Sequence, residues 1–507
     1  MPAGPRAAML PPIASPSLAR NPLLYTQTAT EVHACRLAHA DLRRFGGVRP
    51  ACPWLPRPRT MACMSSHNFA DFLEQLQASG QLDRITDTVR AELEAARRAA
   101  ESPQALLLGE VADRDFPLAV HLFATPERVC RAFRAAALDE PAGRLAQALE
   151  GGEPGSWLDR LAGDRPASFK KAHPRMVRSG PCQQIVRLGG DVDLARLPAP
   201  TLLVEGESAW ISAARLVTRP PGEDRLHVGR YDFRVTGRAE LAACWAPYQE
   251  PARILAEYRR RGQPMPVAIV LGGDPLDLLV ASGPLDAAAD VFSLAGYLKG
   301  SPCELVAARR IDLPVPADAE MVLEGSIDPN RPVIEAGWAV DAMGQPRPLR
   351  PAPAVRVEAL THRVTPVFPA ILPGMEARTI NRSLAQVFLP LLRRQLTGLV
   401  DLELPTFGAG QIWALASIDK TYPGQARQFA KAFWSLPQMV PARFLVVVDH
   451  QVDVHQAEEV WTAVSRHTSP AAGIELAEAP PEAFLAEPSP GRMLFDATAR
   501  LDGEEDV

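Results

Sequence analysis

Two strand-forming runs near the middle of the chain predict a β-hairpin. One strand-forming run covers residues 210–217 and the next covers 227–235, with a turn rich in Pro, Gly and charged residues between them. At a strand period of two residues, Arg230, Asp232 and Arg234 fall on one face of the second strand. We interpret this face as a solvated charged stripe. The alternative is that the three side chains pair with one another and still present a guanidinium.

Apolar residues recur at helical spacing on both sides of this hairpin. Residues 65–85 are typical of a Ser or Asn cap, an amphipathic helix that stops at Gly80, and a strand. Helices and short strands then alternate as far as about residue 169, which predicts a small α/β domain. A long helical pattern covers residues 378–394, where Pro390 is expected to kink it, and a further α/β pattern begins at residue 399.

Composition narrows the class of protein. With 507 residues, 47% of them hydrophobic, the chain has enough core for two or three domains. The 54 basic and 59 acidic residues give a net charge of -5, which argues against a nucleic-acid partner. There is no run of about 18 apolar residues that predicts a membrane span. The seven cysteines are scattered without a C-x-x-C pair, which fits reduced thiols in a cytoplasmic protein.

The first part of the chain differs from the rest. Residues 1–63 are rich in Arg, Pro and Ala, with Glu31 and Asp41 as their acids. The composition is similar to that of a transit peptide, but we interpret the segment as a disordered tail or a mistranslated upstream region. Met61 and Met64 are natural starts on this interpretation.

Two polar clusters are candidate sites. Residues 304–344 hold two apolar strands with Pro, Gly and Asp between and after them, which is a common setting for functional loops. The loop at the end of this segment contains Glu335, Trp338 and Asp341. The run from Asp449 to His455 has the residue types of a metal site. We interpret it instead as the end of a strand, followed by the cap of a helix.

One motif in the first cluster resembles a known family. The run of residues 312–325, DLPVPADAEMVLEG, resembles a diagnostic motif of the UbiD-type decarboxylases, which use prenylated FMN to carboxylate or decarboxylate aromatic and unsaturated acids. The resemblance implies an α+β fold over about residues 64–502, with a central flavin-reductase-like split β-barrel. The implied division is 64–178 for an N-terminal α/β region, 179–375 for the flavin-binding barrel, 376–398 for a linker helix and 399–507 for a C-terminal α/β domain that mediates oligomerisation.

The resemblance also implies a set of site residues. Ser282 and Pro284 correspond to residues beside the flavin ring, and Arg492 to a Lys that reaches the flavin phosphate. Glu335 falls on the central catalytic Glu, and Asp341 within one residue of the second acid. Two carboxyl groups in an apolar pocket can serve as one proton donor and one base.

The hairpin departs from the family pattern at two positions. His227 stands where the family has an Asn that helps to hold a divalent metal, and Asp232 stands where it has an Arg that contacts the flavin. An Asp cannot supply the charged fork of an Arg. Arg230, on the same face, is the guanidinium that remains, and we therefore include it with His227 among the candidate cofactor-binding residues.

The other metal positions are also changed. They fall at Tyr248 and Val291, which are not ligands that a hard cation prefers. Glu250, Asp286 and Asp290 remain as substitutes. We assign no metal ligand, because these residue types argue against a divalent metal such as manganese.

Three functions follow from the resemblance and these departures. The leading hypothesis is a non-oxidative carboxy-lyase for an aromatic or α,β-unsaturated acid, with Glu335 as proton donor and Asp341 and Asp232 as further candidate catalytic residues. The second is a non-catalytic paralogue that serves as a structural or regulatory subunit. The third is a changed reaction in which His227 and Asp232 do acid–base work. The expected partners are a small carboxylic acid, a flavin prenyltransferase that supplies the cofactor, and a second copy of the chain or a UbiD-like subunit.

Overall fold

The structure is a computed structural model that describes residues 68–149, 171–202, 209–340, 346–407, 412–479, 491–501 and 504. The segment 1–67, with the candidate starts Met61 and Met64, lies outside the described residues, and so does Asp341. No helix in the described ranges has the length and apolar character needed to cross a membrane.

A small sheet covered by helices opens the described chain. Its elements are α1 (Phe69–Ala78), β1 (Leu82–Val89), α2 (Glu94–Glu101), β2 (Ala105–Val111), β3 (Leu118–Val120), α3 (Pro126–Ala132), α4 (Asp139–Leu149) and a distant strand, β16 (Phe368–Ala370). The strand order is β1-β2-β3-β16. The Asn68 side chain caps α1 by accepting a hydrogen bond from Asp71 N at 3.1 Å, and the helix buries Phe72 and Leu76. The predicted cap, helix and strand are therefore confirmed.

A closed six-stranded antiparallel barrel forms the centre of the fold. Its strands are β6 (Trp210–Thr218), β7 (His227–Gly237), β8 (Glu240–Cys244), β9 (Met265–Leu271), β12 (Met321–Ile327) and β15 (Ala354–His362), and β5 (Ile185–Leu188) extends it at β15. The barrel order is β12-β9-β6-β7-β8-β15, and β15 pairs back with β12. Alternate residues of β9 pack in two different buried clusters, so this strand is apolar on both faces. The hairpin predicted from the sequence is β6 and β7.

Shorter elements surround the barrel. They are β4 (Arg175–Met176), α5 (Glu250–Arg261), α6 (Pro275–Ala281), α7 (Val291–Lys299), β10 (Glu304–Ala307), β11 (Pro314–Pro316), β13 (Trp338–Val340), β14 (Pro346–Pro348) and the 3-10 turns Pro181–Gln183, Gly189–Asp191 and Leu194–Arg196. β13 and β14 form a small hairpin that packs on the outer face of β8, where Ala339 and Cys244 share a buried cluster.

Two consecutive helices lead to the C-terminal α/β domain. They are α8 (Met375–Val387) and α9 (Leu389–Gln395). The helix breaks at Phe388, two residues before Pro390, so the predicted kink is confirmed. The domain contains β17 (Leu399–Glu403), β18 (Trp413–Ile418), α10 (Gln425–Ser435), β19 (Phe444–Asp449), α11 (Ala457–His467), β20 (Ile474–Ala477) and β21 (Arg492–Ala497), in the strand order β17-β18-β19-β21-β20. Asp449 ends β19, as predicted.

The predicted fold class is confirmed, since the architecture is α+β with a central barrel and a C-terminal α/β domain. The described cysteines Cys130, Cys182, Cys244 and Cys303 are buried and free.

Candidate active site

A row of three charged side chains on β7 forms the centre of the site. The side chains of Arg230 and Asp232 are 29% and 17% exposed, and Arg234 is fully buried. Arg230 Nη1 lies 3.5 Å from Asp232 Oδ1 and donates to Ser212 O at 3.3 Å. The interpretation as a solvated stripe was therefore wrong, because the hairpin β13–β14 and neighbouring strands cover the row. The alternative is confirmed for Arg230, which pairs with Asp232 and keeps a partly exposed guanidinium.

Burial changes the pKa of the carboxyl group in this row. Burial raises the pKa of the Asp232 carboxyl above its usual value, although the charges of Arg230 and Arg234 oppose the shift. The Cα partner of Asp232 on β8 is Cys244, and burial together with the Asp232 charge raises the pKa of its thiol to about 12. The site thus holds a carboxyl with an increased tendency to keep its proton, beside an unreactive thiol.

Arg234 connects this row to the loop that contains the predicted acids. Its guanidinium carbon lies 3.8 Å from the centre of the Trp210 ring, and its Nη2 donates to Trp338 O. The backbone of β13 is thereby fixed beside the row. Glu335, three residues before β13, is exposed on the preceding loop. Asp341 cannot be placed, because it lies outside the described residues.

The Ser282–Pro284 turn packs against the break between α8 and α9. Ser282 Oγ donates to Leu278 O at 2.8 Å, which fixes the hydroxyl at the end of α6. A Cβ on Gly283 would lie 2.6 Å from the Phe388 ring, so the turn approaches the linker as closely as a glycine allows. Gln438 Nε2 donates to Leu285 O at 3.4 Å. This turn therefore contacts both the linker helices and the C-terminal domain.

Arg492 lies on the same part of the C-terminal domain. Its side chain is buried, its Nη2 donates to Val440 O at 2.9 Å, and its guanidinium carbon lies 5.5 Å from the centre of the Trp434 ring. Its buried Nε has no hydrogen-bond acceptor in the described part of the chain. Burial lowers the pKa of this guanidinium, and the nearby Tyr248 opposes the shift. Because Gln438 and Val440 are close in sequence, the structure brings Arg492 and the turn after Ser282 to one loop.

His227 lies on the opposite face of β7 from Asp232. Its Nε2 is 3.0 Å from Tyr231 Oη, and the Tyr231 ring packs edge-on against Trp245. Burial lowers the pKa of the His227 imidazole to about 4. The imidazole is therefore neutral at neutral pH. The structure does not bring His227 and Asp232 together as an acid–base pair.

The residues that the resemblance places at the family metal positions do not fit a divalent cation. Tyr248 and Val291 are poor donors, and no group of three or more His, Cys, Asp or Glu among the described residues could hold a metal ion. Each substitute that the sequence left open is already engaged. Glu250 accepts from Arg253 at 2.5 Å, Asp286 from Ala288 N at 2.9 Å, and Asp290 caps α7 through Ser293.

Sequence patterns did not reveal a buried ionic cluster at the start of α6. Its members are Arg134, Arg215, Asp274, Asp277, Lys299 and Asp318. Lys299 Nζ lies 3.0 Å from Asp277 Oδ1, at the buried start of α6. Burial and the Asp277 charge raise the pKa of Asp318 to about 6. A signal was present in the sequence, because Arg215 is a charge in an otherwise uncharged strand and a charge there needs a buried partner.

Comparison with protein families identifies the class of this fold. The 3-octaprenyl-4-hydroxybenzoate carboxy-lyase N-terminal domain matches residues 73–149, the Rift-related domain matches 175–376, and the C-terminal domain matches 378–497. The chain belongs to the UbiD family, as its motif predicted.

Solved structures of this family are similar over most of the chain. An evolved dimeric form of the UbiD-class enzyme HmfF from Pelotomaculum thermopropionicum, in complex with prFMN, is 25% identical, with a TM-score of 0.70, covering 87% of this chain and 97% of that one. The closed form of vanillic acid decarboxylase (ShVdcCD) from Sedimentibacter hydroxybenzoicus is 22% identical, with a TM-score of 0.75, and 87% and 94% of the chains are covered. The apo 3,4-dihydroxybenzoic acid decarboxylase from Enterobacter cloacae is 19% identical, with a TM-score of 0.67 and coverage of 86% and 94%.

Proposed function

We propose that this chain is a non-oxidative carboxy-lyase that removes or adds carbon dioxide at an aromatic or α,β-unsaturated carboxylic acid with prenylated FMN as cofactor. The observation that carries the proposal is the covered row on β7, where two guanidinium groups flank one carboxyl. The row has a net positive charge when all three groups are ionised. A covered positive site of this kind favours a carboxylate ligand.

Arg230 is the proposed anchor of the substrate carboxylate. It is the more exposed of the two guanidinium groups, and its planar fork can bind a carboxylate through two parallel hydrogen bonds. Arg234 is engaged by Trp210 and Trp338, which suits a positioning role. The substitution of the family Arg by Asp232 thus leaves a guanidinium two residues away on the same face.

Asp232 is the proposed proton donor, with Glu335 as the competing candidate. Its raised pKa favours the protonated form, which an acid needs if it is to deliver a proton to the carbon that loses carbon dioxide. Glu335 is exposed and would act from the solvent side of the loop before β13. Asp341, which lies outside the described residues, remains a proposal for a second acid.

The proposed cofactor site lies between the Ser282–Pro284 turn and Arg492. Arg492 has a buried Nε–H without an acceptor in the described chain, which fits an anionic phosphate. Ser282 and Pro284 lie at a turn held against the linker, which suits contact with a planar ring. Prenylated FMN, when bound, supplies an electron sink for the decarboxylation. The complex of HmfF with prFMN supports this cofactor. We expect a flavin prenyltransferase to supply it.

A second function, that of a non-catalytic subunit, has its own support. Glu335 is exposed, the family Arg is replaced by Asp232, and the metal positions are changed. On this alternative the chain would assemble with an intact UbiD-like partner, and on the leading proposal with copies of itself.

A turnover experiment separates the two functions. The purified chain, co-expressed with a flavin prenyltransferase, is incubated in D2O with a panel of benzoic and cinnamic acids. The enzyme proposal predicts loss of substrate absorbance and one deuterium at the carbon that carried the carboxylate. Absence of turnover from cofactor-loaded protein, together with co-purification of a UbiD-like chain, would favour the subunit.

A further inference from the structure

We propose that Arg225 takes the place of the divalent metal in this chain, so that cofactor binding here needs no metal ion. The inference rests on the proposed function, because it concerns the same cofactor site. It starts from the disagreement between the family metal positions and the residues that occupy them.

The Arg225 guanidinium joins three separate segments of the fold. Arg225 lies in the turn between β6 and β7. Its Nη1 donates to Ala287 O in the loop before α7, and its Nη1 and Nη2 both lie 3.5 Å from Glu250 Oε1 at the start of α5. Its Nε donates to Glu223 Oε2 at 2.9 Å within its own turn. One side chain therefore cross-links the β6–β7 turn, α5 and the loop before α7.

These are the three segments in which the family metal positions fall. His227 follows Arg225 by two residues, Tyr248 precedes Glu250 by two, and Val291 follows Ala287 by four. A metal ion at those positions would hold the three segments together through its ligands. In this chain a guanidinium with several N–H donors does so through a carboxylate and a carbonyl.

The charges around Glu250 favour a guanidinium over a divalent metal ion at this place. Arg225 Nη1 and Arg253 Nη2 lie 3.5 Å and 2.5 Å from Glu250 Oε1. The Glu250 carboxylate is thus already shared by two guanidinium groups. A divalent cation placed there would be repelled by both.

Metal dependence of FMN binding tests the inference directly. The full chain, freed of flavin, is titrated with FMN in metal-free buffer with EDTA and again with Mn2+, and its metal content is measured by mass spectrometry. We expect dissociation constants that agree within about twofold, because a factor of two is a small difference in binding free energy. We also expect substoichiometric metal in the purified protein.

Two variants separate a bridging role from a general effect of charge. Arg225→Ala is expected to weaken FMN binding about tenfold or more, which is the loss expected for a charge-assisted contact that orders a site. Arg260→Ala is the matched control, since Arg260 is an exposed side chain on the same helix, α5. The control should bind FMN like the wild type. Equal effects of the two substitutions would overturn the inference.

The outcomes distinguish this inference from the proposed function. FMN binding that needs Mn2+ would overturn the role of Arg225 and leave the proposed function standing. No FMN binding with or without Mn2+ would overturn both. If Arg225→Ala does not fold by circular dichroism, the comparison of EDTA and Mn2+ in the wild type decides the matter alone.

Discussion

The Asp232 carboxyl lies 3.5 Å from Nη1 of Arg230, two residues earlier on the same face of β7. On the correspondence that the resemblance implies, this pair stands where the family has a single guanidinium at residue 232. The acid and the carboxylate anchor of the proposed reaction therefore share one strand, and their positions depend on the regular geometry of that strand.

Asp232→Asn tests the proposed proton donor. We expect kcat to fall about 100-fold or more, since this is a common contribution of a general acid. Wild-type kcat should also fall as the pH rises through the raised pKa of Asp232, because the acid form is then lost. Asp224→Asn, in the exposed hairpin turn, is the control. Full activity of Asp232→Asn with loss of activity in Glu335→Gln would assign the proton to Glu335.

Arg230→Lys tests the carboxylate anchor. Lysine keeps the charge but loses the planar fork, so we expect kcat/KM to fall about 10- to 100-fold, mainly through KM. Steady-state kinetics on the substrate found in the turnover screen would measure this. Arg238→Lys is a suitable control, because Arg238 is exposed near the end of the same hairpin. Equal kinetics for the two variants would remove Arg230 from the substrate site.

Glu376→Gln tests a buried acid at the start of α8. The two oxygens of Glu376 accept from Phe123 N and Leu372 N, and burial raises its pKa from 4.5 to about 7. The pKa of Glu376 is higher in the folded state than in the unfolded state. Its contribution to the stability of the fold is therefore complete below pH 4.5 and is lost as the pH rises through 7. The wild type should lose on the order of 3 kcal/mol of unfolding free energy from this group over that interval.

Chemical denaturation at pH 5 and pH 8 measures this effect. The Gln variant should be less stable at pH 5, since one carboxyl oxygen that accepts a backbone N–H is replaced, but its stability should change less with pH. Glu74→Gln, at an exposed position of α1, should keep the wild-type pH dependence. An unchanged pH dependence in Glu376→Gln would contradict the assignment.

Gly283→Ala tests the contact between the Ser282–Pro284 turn and the linker helices. The added methyl would lie 2.6 Å from the Phe388 ring, which is too close, so the turn or the ring must move. We expect a loss of about 1–3 kcal/mol in unfolding free energy, as for other overpacked sites. Gly143→Ala in α4 meets nothing within 4 Å and should be neutral or slightly stabilising. Equal stability of both variants would contradict this expectation, because it would show that the Phe388 ring moves aside without a loss of stability.

Local patterns in the sequence predicted the elements well. The hairpin, the Asn68 cap and the break near Pro390 depend on neighbouring residues, and the structure confirms them. The separation of His227 and Asp232 by five residues already implied opposite faces of a strand.

Long-range contacts set the rest of the site. The row on β7 is covered by a hairpin about 100 residues later in the chain, and Arg225 is fixed by a carbonyl 62 residues away. Periodicity identifies residues that share a face but not what lies against that face. The burial of the row and the bridging role of Arg225 therefore needed the structure.

The most direct test of the central proposal is the ligand content of the chain after co-expression with a flavin prenyltransferase. We would record its absorbance spectrum and its native mass, and then the mass of the released ligand. We expect a noncovalent ligand with the mass and absorbance of prenylated FMN. A folded, colourless protein without such a ligand would contradict it.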